Sequence, residues 1–163
     1  MDDSEVHAGT TRALDALAEA KVAHEVHRHG RVDSLEEAAR VRGIDPRQIL
    51  KTIVVRRADD DFLFVLVPGD RQISWPKLRA LLAVSRLSMP DAALAREVTG
   101  YERGTITPFG ATRAWPVIAD SLAILRGETV SIGGGAHGVS VTLNPEDLVF
   151  ALGARVADVT DPV

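Results

Sequence analysis

The chain has 163 residues, of which 45% are hydrophobic and only 4% aromatic, and its formal net charge is −4. This length fits one domain, whose core must be filled mainly by aliphatic side chains. The absence of cysteine excludes disulfides, thiolate metal sites and cysteine nucleophiles. The negative charge balance argues against tight non-specific nucleic-acid binding, which depends on neutralising phosphates, but a local basic patch remains compatible with it.

The first residues are acidic rather than signal-like, and no apolar run approaches the length of a membrane span. We therefore expect a cytoplasmic protein without a membrane partner. Residues 1–9 are expected to be disordered, as chain ends often are. Leucine and alanine recur at helical spacing over residues 11–21, which predicts a helix, and a short strand is predicted over residues 22–28.

Several later helices are predicted from the residues that would cap them. Ser34 is followed three residues later by Glu37, which is the capping-box pattern. Pro46 follows Asp45 at the first helical position, where proline is favoured. The predicted starts are Ser34, Asp45, Ser74, the segment 88–91 and Asn144, and the predicted ends include Gly43, Gly100 and Gly153.

Aliphatic runs predict the strands. Residues 51–57 and 62–67 are expected to form a hairpin around an aspartate-rich turn. The other predicted strands cover residues 84–87, 115–119, 129–132, 139–143 and 155–159, with the third and fourth of these paired. About six or seven strands and five helices alternate irregularly, which predicts one α/β or α+β domain with a mixed, curved sheet.

Two glycine-rich stretches, residues 100–110 and 133–138, contain too little apolar surface for a core strand and too much glycine for a helix. Gly104 and Pro108 frame a Gly-x-x-x-Pro turn, whose backbone can approach a ligand closely at the glycine. A tight connection and a hairpin turn are the structural alternatives for the two stretches. We expect both stretches and Lys51 to meet at one pocket.

Several short pieces follow one another in a specific order along residues 11–160. They are Lys51 to Val54, Thr99 to Tyr101, Gly104 to Gly110, Asp120, the glycine stretch 133–138 and Asn144 to Leu148. Together they resemble the YbaK/prolyl-tRNA-synthetase-associated editing domains, which hydrolyse mischarged aminoacyl-tRNA. The resemblance implies one domain over residues 1–163, a barrel-like sheet wrapped by helices, and no metal or organic cofactor.

The resemblance also implies a set of site residues. Lys51 would position the acceptor end of tRNA as a point charge, although a strand-end lysine in solvent is the default without this match. Backbone N–H groups at Gly104 would bind the ester carbonyl and stabilise the oxyanion. The substrate-binding residues would be His29, Thr52, Thr107, Pro108, Gly133, Gly134, Gly135 and His137.

The histidines invite a second interpretation, because His24, His27 and His29 form a His-x-x-His-x-His pattern. On a strand, His27 and His29 share one face and His24 lies on the other, so a pocket-lining role for His29 is favoured over a metal site. His137 is either a general base or a solvent-exposed loop residue. Asp120 either forms a turn, which we favour, or orients the substrate amine.

The predicted function is hydrolysis in trans of the ester of mischarged tRNA. The partner is the acceptor end of an aminoacyl-tRNA, and an aminoacyl-tRNA synthetase is a candidate second partner. Thr105 and Thr107 stand where the family often has glycine and serine, which predicts a bulkier, hydroxylated pocket wall. The alternatives are a non-catalytic nucleotide- or aminoacyl-binding module with the same pocket, and a metal-dependent hydrolase that uses the histidines.

Overall fold

The computed structural model describes residues 3–30 and 32–163. Its helices are α1 (Asp3–Glu19), α2 (Leu35–Arg42), a 3-10 helix (Pro46–Gln48), α3 (Trp75–Leu82), α4 (Ala92–Thr99), α5 (Leu122–Leu125) and α6 (Pro145–Leu152). Its strands are β1 (His24–Arg28), β2 (Leu50–Ala58), β3 (Asp61–Pro68), β4 (Arg71–Ile73), β5 (Val117–Asp120), β6 (Val130–Gly133), β7 (Val139–Leu143), β8 (Arg155–Ala157) and β9 (Thr160–Pro162). None of the helices in the described ranges has the length and hydrophobicity that a membrane span requires.

The nine described strands form three sheets rather than one, in the orders β2-β3-β5-β8, β1-β7-β6 and β4-β9. The predicted hairpins β2-β3 and β6-β7 are confirmed as antiparallel pairs. Since β3 pairs with β5, and β5 with β8, in parallel, the larger sheet is mixed. The mixed α/β class is therefore confirmed, and no closed barrel is found in the strand pairing of the described residues.

The capping residues act as their types predict. The Ser34 hydroxyl accepts the N–H of Glu37 at 3.0 Å, and Gly43 ends α2 in the left-handed conformation. Asp45 and Gln48 form a reciprocal capping box around the 3-10 helix. Because each cap satisfies backbone groups that a helix end leaves unpaired, these boundaries could be read from the sequence.

Five elements differ from the prediction. α1 begins at Asp3 rather than at residue 11; residues 1 and 2 of the segment expected to be disordered lie outside the described range. Residues 84–87 form no strand. Only the next residue, Ser88, pairs with β2, through an isolated bridge to Arg56. α5, β4 and β9 were not predicted, since each has only three or four residues.

The core lies on both faces of β3, which is buried along almost its whole length. Phe62, Phe64 and Leu66 face one apolar cluster, and the alternate residues Leu63 and Val65 face another. This follows from the two-residue period of a strand. With β3 in the interior, β2 becomes the outermost strand of the larger sheet, and one of its edges stays open.

Asp120 is a structural residue at the end of β5. Its carboxylate accepts the N–H of Leu122 at 3.2 Å and the N–H of Val159 at 3.1 Å, and the residue is fully buried. The turn interpretation of Asp120 is therefore confirmed. The carboxylate ties the start of α5 to the segment before β9.

Candidate functional site

A cleft of about 310 Å³ lies along the open edge of β2. Its lining residues come from α2, β2, the start of α4 and the two glycine stretches: Arg42, Ile49, Leu50, Lys51, Thr52, Ile53, Val54, Met89, Pro90, Ala92, Ala95, Arg103, Gly104, Ile106 and Gly133. The structure thus brings Lys51, Gly104 and Gly133 together at one cavity, with Thr52 beside them.

The floor of the cleft is a strand edge with free hydrogen-bonding capacity. In an antiparallel pair, alternate residues direct their N–H and C=O groups away from the partner strand. Arg56 of β2 does so, since its N–H donates to the Ser88 carbonyl at 2.7 Å and its carbonyl accepts the Ser88 N–H at 3.1 Å. By the same alternation, the backbone groups of Thr52 and Val54 face the cleft, where no described strand pairs with them. A ligand in the cleft can hydrogen-bond to this edge.

Lys51 is held in place rather than extended into solvent. Its half-buried side chain donates from Nζ to the carbonyl oxygen of Arg71 at 2.8 Å. Burial lowers the pKa of Lys51 below its ordinary value, and the negative charge of Asp70 partly opposes that shift. An ammonium has three N–H donors, and one of them is used by Arg71, which is not among the described residues that line the cleft.

Gly104 has a φ of +90°, which is the left-handed conformation that favours glycine. The backbone conformation, rather than a lack of space, is what favours glycine at this position. A Cβ built there would lie 3.5 Å from Cε1 of His137, which is an ordinary contact distance. The turn is braced by Thr105, whose hydroxyl donates to the Glu102 carbonyl at 2.6 Å. Gly104 itself is exposed at the cleft, so its backbone is accessible to a ligand.

Thr107 and Pro108, which the resemblance places in the pocket, are not among the described residues that line the cleft. Thr107 is fully buried, and its hydroxyl accepts the N–H of Phe109 at 3.3 Å. With Thr105 bonded to Glu102, both threonine hydroxyls hold the turn together. They form no hydroxylated cleft wall, and the residues of the turn that line the cleft are Gly104 and Ile106.

The second glycine stretch packs against the first. A Cβ built on Gly133 would lie 3.2 Å from the carbonyl oxygens of both Thr105 and Ile106. Gly134 donates its N–H to Val139 at 3.0 Å, and a Cβ on Gly135 would lie 2.4 Å from the carbonyl oxygen of Gly9. Gly133 therefore lines the cleft, whereas the two glycines after it serve the packing of the loop.

The two candidate histidines lie near the glycine stretches but outside the cleft lining. His137 is exposed beside Gly104, with Nε2 3.6 Å from the Glu102 carboxylate. His29 donates its backbone N–H to Gly138 at 2.9 Å, and its Nε2 is buried without a hydrogen-bond partner. His137 thus lies beside the Gly104 turn but outside the described lining of the cleft.

The other histidines do not join His29. His24 contacts the carbonyl oxygen of Val22 at 2.7 Å through Nδ1, and His27 lies 3.7 Å from Glu25. Across the described part of the chain, no three histidine, aspartate or glutamate side chains are grouped so that they could hold a metal ion.

Arg42 is a cleft residue that the sequence analysis missed. Its Nη1 donates to the hydroxyl of the fully buried Ser131 at 2.9 Å, while its Nε is buried without a partner. Burial lowers the pKa of the Arg42 guanidinium. Arg42 stands in the last turn of α2, where a basic residue is common because it complements the helix dipole, so nothing in the sequence distinguishes it.

The charged residues that line the cleft all carry the same sign. The described residues that line it include three cations, Arg42, Lys51 and Arg103, and no carboxylate. The apolar part of the wall consists of aliphatic residues such as Ile106 and Ala95. A small cavity with this lining suits a ligand that combines a compact apolar group with a negatively charged one.

Comparison with known proteins identifies the class to which this fold and cleft belong. A family model described as the aminoacyl-tRNA editing domain matches residues 29–151, a span that includes every residue lining the cleft. The chain therefore belongs to the aminoacyl-tRNA editing domain family, and the resemblance carried by its sequence motifs is confirmed.

Curated relatives of the chain include proline–tRNA ligases. The chain is 34% identical over 120 residues to that of Heliobacterium modesticaldum, a match that covers 72% of this chain and 20% of the ligase. It is 34% identical over 103 residues to that of Bacillus licheniformis, covering 63% of this chain and 18% of the ligase. The chain thus spans about a fifth of the length of these relatives.

Solved structures share the fold. A crystal structure of a proposed trans-editing enzyme for prolyl tRNA synthetase superposes with a TM-score of 0.84 at 23% identity, covering 94% of this chain and 97% of that one. The hypothetical protein APE2540 gives a TM-score of 0.84 at 24% identity, covering 92% of this chain and 99% of that one. At such identities these likenesses establish the architecture.

Proposed function

We propose that this chain is an aminoacyl-tRNA deacylase that acts in trans on mischarged tRNA. The observation that carries the proposal is the meeting of Lys51, Gly104 and Gly133 at one cationic cleft. Membership of the editing-domain family supports the same chemistry. The substrate would be an amino acid esterified to the terminal ribose of tRNA, and the acceptor end would enter the cleft.

The reaction is an ester hydrolysis. Water adds to the ester carbonyl carbon, the C–O bond to the ribose then breaks, and the ribose oxygen takes up a proton. The products are the free amino acid and a tRNA with an intact 3′ end. The negative charge that develops on the carbonyl oxygen must be stabilised as water adds.

Backbone N–H groups at the Gly104 turn would stabilise this oxyanion. Each such donor contributes about 3 kcal/mol in enzymes where one has been removed. Lys51 would position the acceptor end through its remaining N–H donors. His137, at the rim beside Gly104, is the nearest candidate general base. Because the donors belong to the backbone, no side-chain triad is required.

Selectivity would come from the size of the cleft. Binding alone discriminates weakly between small apolar side chains. An editing site therefore adds a second selection, in which only amino acids small enough to enter its cleft are hydrolysed. Ile106 and Ala95 would form the wall against which the amino-acid side chain packs. The likeness to proline–tRNA ligases makes a synthetase of that type the candidate partner, in the cytoplasm where tRNAs are charged.

The test is a deacylation assay on a panel of tRNAs, each charged with a wrong amino acid. Wild-type protein is expected to release one or a few small amino acids under single-turnover conditions. A binding module with the same cleft would hold the charged tRNA and leave its ester intact. Binding to mischarged tRNA without any release across the panel would therefore exclude the deacylase.

A further inference from the structure

A second groove, of about 610 Å³, lies further along β2 than the cleft. It is lined by residues of β2, α3 and the segment before α4: Arg56, Arg57, Ala58, Asp59, Arg79, Ser85, Arg86, Leu87 and Ser88. The two cavities meet at one short segment, since Ser88 lines the groove while the next two residues, Met89 and Pro90, line the cleft. The two cavities are thus neighbours, separated on the β2 edge by the bridge between Ser88 and Arg56.

This arginine groove carries a local excess of positive charge on a chain whose net charge is −4. Among its lining residues, four arginines face one carboxylate, Asp59. Arg56 is paired with Asp59, and Arg57 with Asp61 at 3.0 Å. Arg79 and Arg86 form no ion pair with any residue in the described ranges, and Arg86 is exposed.

We propose that the arginine groove binds backbone phosphates of the tRNA acceptor stem while the cleft holds the aminoacylated 3′ end. This inference rests on the proposed function. A guanidinium is planar and presents paired N–H donors that match two phosphate oxygens, so unpaired arginines are well suited to this ligand. Neutralising phosphates also releases counterions, which makes such binding depend on salt.

The spacing of the two cavities agrees with the proposal. From Thr52 in the cleft to Arg56 in the groove, β2 rises by about 13 Å at roughly 3.3 Å per residue. Stacked nucleotides advance about 3.4 Å each along a strand, so this distance corresponds to about four of them. An unpaired 3′ end of about four nucleotides that ends at Thr52 would therefore bring the paired stem to the groove.

Arg86→Glu is the decisive variant, and Arg155→Glu is its matched control. Arg155 is exposed on β8, at the opposite edge of the larger sheet, and its replacement changes the net charge equally. The probe is an uncharged RNA hairpin that copies an acceptor stem with its unpaired 3′ end. Arg86→Glu is expected to weaken hairpin binding at least tenfold. The slope of log affinity against log salt concentration should become shallower by about one, the value of one lost phosphate contact. Arg155→Glu should match wild type in both measurements.

The second measurement compares two substrates, mischarged tRNA and the aminoacyl-adenosine that lacks a stem. The ratio of kcat/KM for tRNA to kcat/KM for aminoacyl-adenosine is expected to fall at least tenfold in Arg86→Glu and to stay constant in Arg155→Glu. Arg79→Ala, which removes one charge from the same groove, should reduce the ratio less. Equal hairpin affinities for the Arg86 and Arg155 variants, or no hairpin binding by wild type, would overturn the assignment.

The two proposals fail in different ways. If wild type releases no amino acid yet binds the hairpin through Arg86, the groove assignment stands and the deacylase is excluded. If wild type deacylates tRNA and the Arg86 and Arg155 variants bind and react alike, the deacylase stands and the groove assignment is excluded. Circular dichroism of each variant, compared with wild type, shows that a loss of binding is not a loss of folding.

Discussion

Gly133 lies so close to Thr105 that a Cβ built on the glycine would come within 3.2 Å of the Thr105 carbonyl oxygen. The two glycine stretches, distant in sequence, are thus pressed together by their backbones at the wall of the cleft. The shape of the cleft depends on this contact, because Gly104 belongs to the same turn as Thr105.

Gly133→Ala should therefore reduce both stability and deacylation. The added methyl group meets backbone rather than a movable side chain, and overpacking of this kind costs about 1–3 kcal/mol. Urea unfolding measures the change in the free energy of unfolding. Gly30→Ala is the matched control, since a Cβ on Gly30 would meet nothing within 4 Å. Equal stability and activity in the two variants would contradict the packing argument.

The side chain of Tyr101 forms a buried hydrogen bond within the first glycine stretch, residues 100–110. Its hydroxyl donates to the Phe109 carbonyl at 2.7 Å, and the side chain is buried. Burial raises the pKa of Tyr101 to about 12, against a smaller opposing effect of the Arg12 guanidinium. Tyr101→Phe is expected to lower the free energy of unfolding by about 1 kcal/mol, which chemical denaturation can measure.

The pH dependence of Tyr101 gives a second readout, because the chain contains a single tyrosine. A raised pKa means that folding favours the neutral phenol, so this contribution is complete below pH 10 and is lost as pH rises toward 12. The ultraviolet band of the phenolate should therefore appear near pH 12 in the folded chain and near pH 10 in urea. A folded-state midpoint near pH 10 would mean that the hydroxyl is exposed.

Much of the fold could be predicted because its signals are local. Ser34, Asp45 and Asn144 cap helices through bonds to residues two or three positions away, and the β2-β3 hairpin is closed by adjacent residues. The pairing of β4 with β9 joins residues that are far apart in the sequence, such as Gln72 and Asp161, so no local pattern marks it.

Site residues could be predicted where the residue type itself signals an unusual backbone conformation. They were missed where only tertiary packing brings a side chain to the site. Gly104 and Gly133 stand out in any sequence because glycine permits close approach and left-handed turns. Arg42 resembles any basic residue at a helix end until α2 packs against the buried Ser131. The inward direction of the Thr107 hydroxyl likewise depends on the folded turn.

Arg42→Met tests whether the buried guanidinium serves substrate binding. Methionine is flexible and fills similar space without charge, so KM for mischarged tRNA should rise severalfold while kcat changes less. The free energy of unfolding should fall by only about 1 kcal/mol, because the buried Ser131 hydroxyl loses its bond from Arg42. Steady-state kinetics and thermal unfolding measure the two effects. A large loss of stability with an unchanged KM would assign Arg42 to the scaffold alone.

The most direct test of the central claim is the deacylation rate of Lys51→Ala on the substrate that the panel identifies. The matched control is Lys77→Ala, which removes the same charge from a more exposed site, on α3, where Lys77 is ion-paired with Asp158 at 3.2 Å. We predict that Lys51→Ala lowers kcat/KM at least 100-fold with its circular dichroism unchanged, while Lys77→Ala stays within about twofold of wild type. Activity of Lys51→Ala equal to that of Lys77→Ala would contradict the account.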